Sequence, residues 1–471
     1  MKFSSSPTPG PQAITQPTGS VFKKQDSLAW LTATQYLDLL QKREITVLDY
    51  AQACADFIDI LEPKLSAWAW FDRDRFEALA AKVDKTIEGY RSSGGQFLPG
   101  KLTGLPVGVK DIFNTEDMPT SYGSSIFSGY TPGNDARVVT SLLSESAIMA
   151  GKTVTAEFAV HTPNGTLNPH DLSRSSGTSS SGSAVAVATA MMPVALASQT
   201  AGSIIRPASY CGVFGFKPSY GTIPRTAMLK TTDTMDSVGF MTRSVSDLSL
   251  LFDVLRVRGP NYPVVDASLA DTARRKPVNR PWRVGILDGP KSRFVSKAVN
   301  RQFDLVARKL ETAGCELQHL RLPVLFDRAH DTHETIYRRS LSYYFWREWE
   351  NGKHEFSPRL SEMIDGGTRI SFNEYESALK NQATIAKKYD EIMRDFDVVL
   401  SPSTADEAPV GLDTPDIPDH CLIFTMCYAP TISVPILNGT SGLPVGIQVA
   451  AKRFNDYDLL DFAEFLCCAT A

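Results

Sequence analysis

Apolar residues near the start of the chain recur at helical steps. Leu48, Ala51, Cys54, Ile58 and Leu61 lie three and four positions apart, which puts them on one helix face turned toward a larger body. Thr32-Ala33-Thr34-Gln35 carries the hydroxyl and amide of a capping box, so a helix is expected to open there and run through Gln41. Thr46-Val47-Leu48-Asp49 opens the striped helix in the same way. A third segment, Arg75 to Ile87, has Ala-rich and charged faces. Together the three read as a helical layer packed on a core formed later in the chain.

The period then shortens. From Leu102 to Asp111, Pro106 and two glycines speak against a helix, and Val107 to Val109 suits a short buried strand with Lys110 at its end. A helix over Arg137–Ser144, a strand over Ala147–Gly151 and a turn over Thr155–Ala159 follow. That strand-helix-strand rhythm predicts an α/β sheet that is at least partly parallel. Ala184 to Ala197 is an unbroken run of small and apolar residues and reads as one buried helix. Further strands are expected at Gly212–Pro218, Arg283–Leu287, Glu316–Leu322, Asp397–Pro402, Thr431–Pro435 and Leu443–Val449. Helices are expected at Ser246–Leu255, Lys297–Ala313 and Asp456–Leu466, with a mainly helical stretch from Thr332 to Phe396.

These elements suggest one domain over 27–471, with a lid or specificity region around 283–396 that begins just past the basic, proline-containing stretch Arg274–Arg280. Residues 1–26 are rich in Pro, Ser, Thr and Gly and read as a disordered leader. Within the helical stretch, the aromatic run beginning Tyr343-Tyr344-Phe345-Trp346 reads as core packing before it reads as the lining of an acyl pocket over 343–349.

Composition narrows the classes. With 42% hydrophobic and 21% charged residues in 471, the chain is not mostly disordered. A net charge of −4 and the lack of a Lys/Arg stripe exclude an electrostatic surface for nucleic acid. The seven cysteines are odd in number and scattered, which fits a reducing compartment. Met1 to Ser20 has no apolar signal core, and the run from Ala184 is too short to cross a bilayer, so a cytoplasmic protein without membrane contact is expected. His330-Asp331-Thr332-His333-Glu334 matches neither zincin spacing and reads as a solvated helix face. No metal and no cofactor are expected.

The chemistry gathers elsewhere. Ser173 to Ser183, S-R-S-S-G-T-S-S-S-G-S, would alone be a flexible linker. It leads instead into the apolar run and then to a second small-residue turn, Gln199-Thr200-Ala201-Gly202-Ser203. Two such turns bracketing a buried element bring hydroxyls and backbone amides to one place, the outline of a serine hydrolase site that still needs a base. None of the seven histidines lies in either turn. Lys110 is the other candidate: a lysine is usually a surface group, but one flanked by Val109 and Ile112-Phe113 is pushed toward its neutral, basic form by desolvation.

Gly108-Val109-Lys110-Asp111, the segment Gly177 to Ala184, and the run from Gln199 through Lys217-Pro218 together resemble the amidase signature family. Gly151-Lys152-Thr153 with Glu157-Phe158, Met235 to Gly239 and Gly442 to Gln448 support the likeness, which covers nearly the whole chain after the leader. The resemblance implies a large mixed, mostly parallel twisted sheet with helices on both faces. It implies Ser203 as nucleophile, Ser179 as a bridging serine at a cis peptide, Lys110 as base, and an oxyanion hole of backbone amides at Thr200, Ala201, Gly202 and Ser203. The implied activity is hydrolysis of a small carboxamide through an acyl-enzyme, with a small-molecule amide as partner and a homodimer as the oligomer to test.

Alternatives are hydrolysis of urea-derived amides of the allophanate or biuret type, an amidotransferase subunit, or an inactive binding protein on the same scaffold. The tRNA-dependent amidotransferase is disfavoured by Ala201, where a Gly-Gly pair is expected before the nucleophile, and by the lack of a basic surface. Three departures from the family pattern stand out: Thr178 in place of a glycine, Gln199 in place of a frequent aspartate, and two isoleucines before Arg206.

Overall fold

Both capping boxes form. In the computed structural model, which describes residues 27–277 and 279–471, Thr32 and Gln35 cap α1 (Ala33–Lys42), and Thr46 and Asp49 cap α2 (Val47–Leu65). The leader expected over 1–26 lies outside the described residues. The third helix, α3 (Arg73–Ser92), runs further at both ends than its pattern suggested. Arg73 at its start bridges Asp56 and Asp59 of α2, and Asp84 accepts from the Val47 and Leu48 amides at the start of α2. These helices share the main hydrophobic core with the sheet, as expected.

Among the described residues, eleven strands make one sheet. They are β1 (Trp68–Phe71), β2 (Pro106–Lys110), β3 (Ile148–Thr153), β4 (Val194–Gln199), β5 (Phe214–Lys217), β6 (Ser237–Thr242), β7 (Arg283–Asp288), β8 (Glu316–Arg321), β9 (Val398–Pro402), β10 (Thr431–Asn438) and β11 (Pro444–Ala451). Their spatial order is β1-β3-β2-β4-β6-β5-β10-β11-β9-β7-β8. The sheet is mixed, but the expectation that it is mostly parallel needs correction. Only β3-β2-β4 and β9-β7-β8 run parallel; the other six interfaces are antiparallel. The expectation extrapolated from strand-helix-strand units that exist at those two groups, because parallel neighbours need a long crossover. The central strands are joined differently; β10 and β11 are linked by a short turn over 439–443.

The remaining helices are α4 (Arg137–Ser144), α5 (Ser181–Ala188), α6 (Ile205–Cys211), α7 (Val245–Leu255), α8 (Pro263–Ala270), α9 (Lys297–Thr312), α10 (Ala329–Tyr344), α11 (Trp346–Gly352), α12 (Pro358–Thr368), α13 (Phe372–Ile392), α14 (Cys421–Met426) and α15 (Asp456–Thr470). The run Ala184–Ala197 is not one helix. It ends α5 at Ala188, turns at Ala190, whose φ is 58°, passes Pro193 and becomes β4. Both halves are buried on every side, so neither shows a polar face, and the one-letter pattern cannot separate helix from strand.

The segment expected as a lid divides in two. Residues 283–321 supply β7 and β8 to one end of the sheet, and 329–392 form the helical part, α10 to α13. In the aromatic run, Phe345 is buried 4.7 Å from Phe158 and Trp349 is buried against Phe356, as the packing reading expects. Tyr343 and Trp346 are instead 74% and 60% exposed. All seven cysteines are free thiols, and no described helix is long and apolar enough to cross a membrane.

Arg243, between β6 and α7, fixes the turn from α5 to β4. Its guanidinium is buried and donates to Val187 O and Met192 O at 3.1 and 2.8 Å, and to Ala29 O and Leu31 O at 2.9 and 2.7 Å. One side chain thus ties the segment 29–31 to the turn that follows α5. Arg243→Met is expected to remove a donor from four carbonyls, of which Leu31 O keeps the Tyr50 hydroxyl and Val187 O the Ala190 amide, and to lower unfolding stability by ~2 kcal/mol or more, since each unsatisfied buried group costs about 1–3 kcal/mol. Urea unfolding checks this; a loss below about 1 kcal/mol would show the carbonyls are satisfied without it.

Candidate active site

Every residue of β2 is buried, and Lys110 at its end is 0% exposed. Its Nζ lies 2.8 Å from Ser179 Oγ and 2.9 Å from Ser198 Oγ. Burial pushes its pKa well below the usual lysine value, opposed only by the more distant Asp236 carboxylate. Two other buried lysines show what makes this one different. Lys152, across from Val109 on β3, pairs with Asp111 at 3.2 Å and donates to Phe113 O at 2.8 Å and to the Thr120 hydroxyl at 2.6 Å; burial holds it at about 8. Lys217 donates to the Pro218 and Ala429 carbonyls, and burial lowers it to about 7. Carbonyls and carboxylates can only accept, so each of those two amines has at least one partner that holds it as a donor. The hydrogen-bond partners of Lys110 are hydroxyls alone, which can also donate, so its lone pair has work available.

The first serine turn is locked from several sides. The Thr178–Ser179 peptide is cis. Gly177 has φ 82°, and a Cβ there would lie 3.0 Å from Pro207 Cα and Tyr210 Cδ2, so the turn sits directly on α6. The Ala156 amide donates to Ser179 O at 3.0 Å, and Asn168 Nδ2 donates to both Ser175 O and Tyr210 O.

The second turn wraps around the side chain of Gln199. Its Oε1 accepts from the Ile204 and Ile205 amides at 2.8 and 3.0 Å, capping α6, while its Nε2 donates to Thr425 Oγ1 at 2.9 Å. An aspartate could accept at α6 but could not make that last donation, which is what the glutamine adds. Three successive carbonyls of the turn are then held from outside. Thr200 O accepts from His333 Nε2 at 3.1 Å, Ala201 O from Thr425 Oγ1 at 2.8 Å, and Gly202 O from the Arg206 amide at 2.9 Å. In a trans peptide the N–H points opposite to its carbonyl. Each of the Ala201, Gly202 and Ser203 amides is therefore aimed away from the anchor on its own peptide's carbonyl, and none donates a hydrogen bond among the described residues.

Gly202 is required by close approach: a Cβ would lie 2.8 Å from Arg206 Nη2. Arg206 is itself fixed by Asp419 and Asp416 at 2.8 and 3.0 Å. Ser203 follows at 9% exposure, and its hydroxyl has no hydrogen bond among the described residues. Of the sequence candidates, Lys110 and Ser179 are thus joined by a hydrogen bond, and Thr200 to Ser203 form one oriented turn. Ser203 is not hydrogen-bonded to Ser179.

Ser198, Thr425, Asp236 and His333 were not singled out from sequence as parts of this site. Ser198 carried a faint signal, a lone hydroxyl near the end of an apolar run. The expected solvated face over 330–334 is corrected at His333, which is buried against the serine turn by its bond to Thr200 O. No cluster of three or more metal-ligating side chains occurs among the described residues.

Comparison with known proteins bears on the family and the fold. Among curated relatives, the glutamyl-tRNA(Gln) amidotransferase subunit from Heliobacterium modesticaldum is 31% identical, over 92% of this chain and 95% of its own length. Peptide amidase from Stenotrophomonas maltophilia superposes with a TM-score of 0.79 at 24% identity, covering 94% of this chain and 97% of its own. Another crystal structure described as an amidase gives 0.81 at 24% identity, covering 94% and 100%. The sequence model of the Amidase family matches residues 49–460, and the chain belongs to the amidase (amidase signature) family.

Proposed function

We propose that this chain cleaves the C–N bond of a small carboxamide through an acyl-enzyme on Ser203, with Lys110 as base acting through Ser179. The observation that carries the reading is the buried Lys110 amine, 2.8 Å from Ser179 Oγ and without a carboxylate partner. A serine hydroxyl is a weak nucleophile until a base takes its proton. Ser203 Oγ attacks the amide carbon, its proton passes to Ser179, and the Ser179 proton passes to Lys110 Nζ. Negative charge on the carbonyl oxygen meets the amides of the Thr200–Ser203 turn, of which those of Ala201, Gly202 and Ser203 are aimed by their anchored carbonyls.

Lys110 then returns the proton through Ser179 to the departing nitrogen as the C–N bond breaks. Water attacks the ester by the same relay, and Ser203 is released. Such preorganised amides cost no reorganisation as charge develops, and losing one donor typically costs ~3 kcal/mol of barrier.

A second reading is favoured by the curated relatives: the chain as the amide-cleaving component of an amidotransferase, handing ammonia to a partner protein. The chemistry at Ser203 is common to both. Ala201 and the net charge of −4 weigh against a tRNA-dependent role. Ammonia release from simple amides by the isolated chain favours the hydrolase; release only with an added acceptor protein favours the amidotransferase.

A fluorophosphonate probe is expected to modify one residue, Ser203. No Lys or Arg lies between Ser175 and Arg206, so trypsin leaves Ser179 and Ser203 on one peptide and fragment-ion sequencing must place the adduct. An adduct on Ser179, or none on this peptide, would sink the assignment.

A further inference from the structure

Three anchors orient the Thr200–Ser203 turn, and they do not come from the same part of the molecule. The Gly202 carbonyl is held by Arg206, four residues along the same segment, and the Ala201 carbonyl by Thr425 on α14, which also receives Gln199. The Thr200 carbonyl alone is held from the helical segment 329–392, by His333 on α10.

We infer that His333 is a positioning residue for amide cleavage: its Nε2–H fixes the Thr200–Ala201 peptide plane, so the seating of α10 sets whether the Ala201 amide faces the substrate carbonyl. This rests on the reading of the turn as the oxyanion site.

The chemistry of the contact is one-directional. A carbonyl accepts, so His333 Nε2 must carry the proton. Burial pushes the imidazole below its usual pKa, and the neutral ring with its hydrogen on Nε2 is the form that fits. The same face of α10 supports His333: Tyr337, one helical turn on, packs its ring 5.3 Å from it. Thr231 and Thr200 both donate their hydroxyls to Asp236 Oδ1 at 2.7 Å. On α13, Gln382 accepts from Thr234 Oγ1 at 2.8 Å, in the same loop. The helical segment therefore holds Thr200 directly by its carbonyl and, through Gln382 and Thr234, bonds to the loop whose Asp236 receives the Thr200 hydroxyl. A displacement of α10 would release the first amide of the turn while leaving Lys110 and Ser179 in place, because neither bonds to this segment.

The test uses two side chains of similar bulk. His333→Gln keeps an N–H of comparable reach, and His333→Phe fills the space without a donor. On an amide that the wild-type protein hydrolyses, His333→Phe is expected to lower kcat by ~10²-fold, toward the effect of losing one oxyanion donor, with KM changed less than about threefold. Fluorophosphonate modification of Ser203 should slow in parallel, and His333→Gln should recover most of both rates. Should phenylalanine prevent folding, His333→Leu makes the same comparison. A donor-less variant with kcat within about threefold of wild type overturns the inference. So does equal impairment of the Gln and donor-less variants in step with a lowered thermal midpoint, which marks a packing role. Turnover by Ser203→Ala would instead overturn the functional reading beneath it.

Discussion

Lys110→Met is expected to lower kcat by ~10³–10⁴-fold, the upper range for removing a general base, without lowering the thermal midpoint. The wild-type protein should show kcat/KM rising with pH along an acid limb set by Lys110. Nζ can take a proton only when unprotonated, and burial pushes its pKa well below the usual 10.5. Below that depressed value the lone pair is lost and the rate falls; above it the base is available. The limb should therefore lie well below 10.5, and it should disappear with the lysine. The stability argument has a definite sign too. Between the depressed folded pKa and the ordinary unfolded one, the unfolded chain binds the extra proton, so a buried neutral lysine makes stability rise with pH in that window. Methionine of similar length removes that linkage and keeps the packing. A limb near 10.5, or a methionine variant retaining a tenth of wild-type turnover, would remove Lys110 from the mechanism.

How much of this was legible in the sequence depended on whether the deciding partner was near in the chain. The capping boxes at Thr32/Gln35 and Thr46/Asp49 are local and were readable. So were the strand ending in Lys110 and the helix Arg137–Ser144, which matches α4 residue for residue. The Ala184–Ala197 run was not, because a helix and a strand that are each buried all round look alike in one-letter code. The mixed sheet was expected, but the pairing of its central strands is settled between segments far apart, such as β5 with β10.

The site divides in the same way. Lys110 and the two serine turns stood out from their local sequence, whereas the roles given to Ser179 and Ser203 came from a family resemblance. Ser198 reaches Lys110 across 88 positions, His333 reaches Thr200 across 133, and Thr425 reaches Ala201 across 224. Nothing in a single sequence ties such positions together. His330 to Glu334 was judged by its spacing against metal motifs, whereas what matters at His333 is which face of α10 meets the serine turn.

Ser203→Ala is expected to lower kcat by ~10⁶-fold, the scale seen when a hydrolase loses its nucleophile, while Ser179→Ala leaves measurable turnover. The difference follows from what each hydroxyl does in the proposed mechanism. There Ser203 Oγ forms the bond to the acyl carbon, and no neighbouring group replaces it. Ser179 only relays a proton to Lys110, and two substitutes are at hand: water in the space its hydroxyl vacates, and Ser198, whose Oγ is already 2.9 Å from Nζ. Because the residues act as one unit, Ser203→Ala combined with Lys110→Met should be no slower than Ser203→Ala alone. Single-turnover acylation by an activated ester sharpens the ranking, since a better leaving group needs less help from the returned proton. Ser179→Ala should recover more of its lost rate on the ester than on the amide, and Ser203→Ala should recover none. Equal recovery by both variants would mean that Ser203 is not the atom that bonds to substrate, and the hydroxyl on Lys110, Ser179, would become the candidate nucleophile.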